Sequence, residues 1–164
     1  MDDKPRPRPL STPPPARFGD AAPVPAVRAF RRELNREIIG LLRSLPGVLQ
    51  TDAVIFCMQH LGTPLVPEFD YFRQYHAPAW SVLYWITRRP AASPMTPELW
   101  ARAKTAHAMA LLLHPLDDHL NDGQLPATHL NILLRSQAWR LMNAALTPLA
   151  AAVPDGSAIV ERFL

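Results

Sequence analysis

The chain of 164 residues is 48% hydrophobic and 19% charged, with 17 Lys and Arg against 14 Asp and Glu for a formal net charge of +3. That is the size of one domain, with enough apolar material for a core. Nineteen prolines against six glycines argue against a sheet-rich fold, because proline cannot donate to a strand ladder.

The single cysteine, Cys57, excludes an intrachain disulfide framework. It sits in the apolar run Ala53–Met58, where a thiol behaves as a small hydrophobe. Fifteen of the 17 basic residues are Arg. They make no dense stripe beyond Arg28, Arg31, Arg32, Arg36 and Arg43, and no recognition motif accompanies them, so nucleic acid is not an expected partner. Met1–Leu10 has no apolar h-region. The longest apolar stretches, Ala108–Leu113 and Ala144–Val153, fall short of the ~18–20 residues a membrane span requires. A cytoplasmic protein without a membrane span is expected.

Residues 1–25 hold eight of the prolines and no apolar periodicity, which predicts a disordered Pro/Arg-rich leader. The all-α domain is expected over 26–164, as a bundle of about five to six helices. In the first, Val27, Phe30, Leu34, Ile38, Leu41, Leu42 and Leu45 recur every three to four residues until Pro46-Gly47. A second is predicted after an N-cap at Thr51 or Asp52, with Val54, Ile55, Met58 and Leu61 inward and Gly62-Thr63-Pro64 as its end. A third is predicted from about Pro67 to Arg89, rich in aromatics and bent or broken at Pro78. Thr96-Pro97-Glu98 is an N-cap, a proline at the first helical position and an acidic first turn. The helix it opens, about 97–121, stops at Gly123. Pro126 is expected to open a fifth helix carrying Leu130, Leu133, Leu134, Trp139, Leu141 and Leu146. Ser157 would cap a sixth, whose apolar face includes Phe163 and Leu164. Without a stop signal after them, that helix either closes a small bundle or begins something longer.

The stretch that carries chemistry is Asp117-Asp118-His119-Leu120-Asn121-Asp122-Gly123. Its three carboxylates gather at the carbonyl end of an apolar helix, where the helix dipole and mutual repulsion disfavour them. A bound cation would offset both effects. Asp118 and Asp122 share a helix face, and their hard oxygens suit Mg²⁺. Here the sequence resembles class I isoprenoid synthases, the all-α terpene cyclases and prenyl diphosphate synthases, in its Asp-rich motif and in the apolar lead-in Ala108–Leu113. The resemblance implies that Asp117, Asp118 and Asp122 hold Mg²⁺ on a prenyl diphosphate, whose ionisation leaves an allyl cation. It also implies that the aromatic third helix, with Trp80 and Tyr84, lines the substrate cavity. Arg135 and Arg73 are the expected diphosphate contacts.

The chain departs from that family in two places. Val153 stands where its second metal motif begins, ahead of Ser157 and Glu161, and Gln124–Thr128 lacks an Arg-Arg-Gly. An incomplete fold without turnover is therefore expected of residues 1–164 alone. Exposed Trp139, Phe163 and Leu164 should then drive homo-oligomerisation or binding to a complementary polypeptide.

Other readings of the same residues stay open. Asn-Asp-Gly is turn chemistry in its own right. A calcium loop from Asp118 would have His129 at its twelfth place, where a bidentate Glu is required. His107, His114 and Asp118, joined by His76 or His129, could form a hydrolase-like metal site. A non-catalytic helical interaction module needs no metal at all. Ser136, Ser157 and Cys57 lack a nucleophile motif, and there is no phosphate-binding glycine loop.

Overall fold

The computed structural model describes residues 25–65, 67–73, 75, 77–89 and 95–162. Residues 1–24 of the predicted leader, His76, Phe163 and Leu164 lie outside the described residues, and Pro25, the leader's last residue, instead opens the first helix. Among the described residues six α-helices run in the order α1 (Pro25–Ser44), α2 (Gly47–His60), α3 (Ala77–Ile86), α4 (Pro97–Asn121), α5 (His129–Ala151) and α6 (Gly156–Glu161), with a 3-10 turn at Tyr71–Arg73. Among the described residues there is no strand, and no helix is long and apolar enough to cross a membrane. The all-α expectation holds.

Helix α1 buries Val27, Phe30, Leu34, Ile38, Leu41 and Leu42 as its period requires. Against this stripe packs α4, whose Ala108, Met109, Leu112, Leu113 and Leu116 join the same core. Helices α4 and α5 run antiparallel, which brings Asp117 to Arg135 at one end and Ala103 and Ala106 into one cleft with Leu146 and Leu149 at the other.

Local chemistry sets the ends of α4. The Thr96 hydroxyl accepts from the Leu99 N–H at 3.3 Å, and Pro97 fills the first helical position. Glu98 takes a backbone hydrogen bond and one from Thr96, which hold its carboxyl below the ordinary range. At the other end Gly123, at φ 69°, turns the chain left-handed so that the Leu125 N–H can bond the His119 carbonyl at 3.0 Å.

Local expectations for four helices are corrected. Helix α2 starts at Gly47, directly after Pro46, so Thr51 and Asp52 lie in its interior. Its buried residues are Ala53, Phe56 and Cys57, while Ile55 and Met58 are 42% and 41% exposed. The Ala53–Met58 run is apolar all round, so its pattern could not name a face. The aromatic segment is interrupted as expected, but only the 3-10 turn at Tyr71–Arg73 precedes a ten-residue α3, and Pro78 sits in the first turn of α3, where a missing N–H costs nothing. Pro126 does not open α5. Thr128 caps it, accepting from the Asn131 N–H at 3.2 Å, and the Asn131 side chain donates to the Pro126 carbonyl at 2.8 Å. Asp155, at φ 57°, rather than Ser157, precedes α6. Gly156 lies so close to the end of α5 that a Cβ there would clash with the Ala150 carbonyl oxygen.

Two polar clusters tie the 61–75 connection to the helices. Asn35, 5% exposed within the apolar stripe of α1, donates to Asp70 at 2.8 Å and accepts the Tyr71 N–H at 2.8 Å. Arg31 closes the set with an ion pair to Asp70 at 3.1 Å. The second cluster answers to Pro115 inside α4. Proline has no N–H, so the Leu111 carbonyl loses its helical donor. The Tyr71 and Tyr75 hydroxyls are hydrogen-bonded to each other at 2.8 Å and lie 3.3 and 3.1 Å from that carbonyl, so that one donates to it while accepting from the other.

Candidate functional site

Helix α4 carries the Asp-rich motif out of the core. Leu112, Leu113 and Leu116 are buried, and one turn later the chain is polar and open. Asp118 and Asp122 are exposed and one turn apart on the ridge that continues from Ala110 and His114. Asp122 is also the C-cap, its N–H bonding the Asp118 carbonyl at 2.9 Å.

Asp117 has a different neighbour. Arg135 of α5 grips it with two hydrogen bonds, Nε to Oδ1 at 2.5 Å and an Nη to Oδ2 at 3.3 Å. The guanidinium also lies 5.9 Å from the ring centre of Trp139. A fork-to-carboxylate pair of this kind is a strong charge-assisted contact. The cation that offsets the first aspartate is therefore supplied by the chain itself, from a residue expected to contact the diphosphate.

The other candidate residues are dispersed. Trp80 and Tyr84 are core residues, 2% and 7% exposed. Arg73 is exposed on the 3-10 turn. His107 is half-buried, and its Nε2 donates to the Trp80 carbonyl at 3.1 Å, since a carbonyl oxygen only accepts. Burial holds the His107 pKa below its ordinary value, against the raising effect of that bond and of the Ala79 carbonyl. His114 and His129 are exposed. Among the described residues, no three His, Cys, Asp or Glu side chains are gathered closely enough to hold a metal ion. The structure thus does not bring His107, His114 and Asp118 together with His129. Cys57 is 1% exposed, and burial pushes its thiol up to about 12, which leaves it unreactive.

Toward the other end of α4 lies an apolar cleft of about 430 Å³ between α3, α4 and α5. Ala103, Ala106 and Ala110 make its α4 wall, Met142, Leu146 and Leu149 its α5 wall, with Leu83 and His107 also lining it. Three alanines facing large apolar side chains leave the space between the helices open. The sequence does not announce this cleft, because an alanine suits any helix position and only the facing helix decides whether its small side chain leaves a space. Asn35 and Asp70 also escaped the sequence reading, although an Asn inside an apolar helical stripe is itself a signal of a buried partner.

The fold and site define an all-α bundle with an apolar cleft between α3, α4 and α5 and two open carboxylates at the C-terminal end of α4. No family model, no curated protein and no solved structure matches the chain.

Proposed function

We propose that this chain binds a prenyl diphosphate through Mg²⁺ at the end of α4, in the manner its Asp-rich motif resembles. The observation that carries the reading is the placement of Asp118 and Asp122. Both are open, and Ala110, at the edge of the apolar cleft, lies about 12 Å from Asp118 and about 18 Å from Asp122 along the same helix. An amphiphile can therefore lay its chain against the alanines while its head reaches the carboxylates.

The donor set fits the ion. Mg²⁺ is commonly held by one or two carboxylates, with waters and substrate phosphates completing its octahedron. Asp118 and Asp122 would supply those two, and Asp117 remains with Arg135 unless that pair opens. When bound, Mg²⁺ neutralises the diphosphate and makes it a better leaving group. The chain's own part is to orient. Carboxylates at a carbonyl helix end repel an anion, so the diphosphate binds only with the metal between them. Arg135, its side chain 43% exposed, stands ready to share its charge with the diphosphate.

The test is thermal. Pyrophosphate with Mg²⁺ at ~100 times the dissociation constant should stabilise the fold by about 2.7 kcal/mol, a rise of roughly 5–10 °C in Tm. Pyrophosphate alone should do nothing. Asp118→Asn should remove the shift and leave the ligand-free Tm unchanged or higher, because a carboxylate is taken from a carbonyl helix end. An equal shift in that variant, or one that ignores Mg²⁺, overturns the reading.

A second reading, a non-catalytic self-associating helical module, is favoured by the exposed rim of the cleft, where Met95 is 40% and Val153 55% exposed. Light scattering separates the two. This reading expects a dimer that Val153→Asp dissociates, with no response to Mg²⁺ and pyrophosphate.

A further inference from the structure

Helix α1 presents a charged row that neither the core nor the Asp-rich site uses. Arg28, Arg32, Arg36 and Arg43 are all exposed, and their side chains carry no ion pair to any described residue. The other charges of α1 are engaged. Arg31 pairs with Asp70 at 3.1 Å, Glu33 with Lys104 at 2.8 Å, and Glu37 accepts from Thr105 at 2.8 Å. At about 100° per residue, the four free arginines and Ile39 fall within about 80° of arc, with both glutamates outside it. The row is about 22 Å long.

It ends in a groove. Ile39, Leu42 and Arg43 of α1, Val54 of α2, and Leu65 and Phe69 of the following connection line an apolar depression of about 430 Å³. Ile39 and Arg43 belong to both features, so row and groove lie on one side of the molecule.

We propose that this side of α1 docks an acidic, amphipathic polypeptide segment, with its carboxylates along Arg28, Arg32 and Arg36 and its apolar side chains in the groove beside Arg43. Complementarity of charge names the partner. Four like charges left unpaired in a line repel one another, and an opposing row of carboxylates removes that repulsion while forming paired guanidinium contacts. The line is too long for one small anion to span, and its charges do not converge on a point. A lipid surface could meet the arginines, but a flat bilayer cannot fill the concave groove. Nucleic acid could meet the arginines through its phosphates, but a phosphate backbone offers no apolar side chains to fill the groove.

The probe is a fluorescein-labelled peptide of about six helical turns, with Glu at every fourth position of its first half and Leu and Phe on the same face of its second. Anisotropy against the full chain at low salt should report binding. The Gln-for-Glu peptide, the Arg32→Glu/Arg36→Glu chain and the Leu65→Asp chain should each bind at least about 10-fold more weakly. Leu65 is 44% exposed and the arginines are on the surface, so circular dichroism should show each variant folded. Added salt should weaken the wild-type complex. No binding by the wild-type chain, or equal binding by the variants, overturns the proposal. So does arginine-dependent capture of phosphatidylserine vesicles without peptide binding, which would assign the row to a membrane surface.

Discussion

The repair of α4 at Pro115 can be tested by a mutant cycle. Replacing Tyr71 and Tyr75 together by Phe keeps both rings, including the edge-on contact of Tyr71 with Phe72 at 5.0 Å, and removes only the two hydroxyls. The Leu111 carbonyl, which those hydroxyls reach at 3.3 and 3.1 Å, is then left without a donor. A buried polar group left unmade costs about 1–3 kcal/mol. In a chain of this length that lowers Tm by roughly 2–12 °C. Pro115→Ala restores the missing N–H to the same carbonyl and removes a helix-interior proline, worth up to about 3 kcal/mol. In the Pro115→Ala background the double Phe substitution should therefore cost at least about 1 kcal/mol less than in the wild type. Urea unfolding followed by circular dichroism gives all four free energies. Equal costs in the two backgrounds would refute the claim that the tyrosines serve the orphaned carbonyl.

Two further outcomes follow from the buried polar groups. Asn35→Ala strips the Tyr71 N–H of its acceptor and Asp70 of a donor, both at 2.8 Å, and should cost about 2–4 kcal/mol by urea unfolding. A loss under about 0.5 kcal/mol would show that the cluster does not hold the connection to α1. For His107, burial keeps the ring neutral in the folded state, so the unfolded chain binds the proton more readily. Stability should fall as pH drops below the ordinary histidine value of 6.5, and His107→Gln, which keeps a donor for the Trp80 carbonyl, should flatten that decline. An unchanged slope in the variant would assign the pH dependence to other groups.

What the sequence by itself determined was whatever depends on neighbours a few residues away. The bounds of α4 were legible in Thr96-Pro97-Glu98 and Gly123, and the inward face of α1 in its period, because caps and helical spacing act within one or two turns. The Asp-rich cluster was legible too, as was the electrostatic need for a cation near it. Tertiary structure alone decided which cation stands beside Asp117. Arg135 lies 18 positions away and meets it only because α5 folds back along α4. The same holds for Asn35 and Asp70, 35 positions apart, and for the tyrosines that answer Pro115. Helix α2 shows the limit from the other side. Its run Ala53–Met58 is apolar on every face, so only the packing of Ala53, Phe56 and Cys57 against the core could choose an inside. Pairings across the fold, and faces that offer no contrast in polarity, are settled by long-range contact, which a local pattern does not encode.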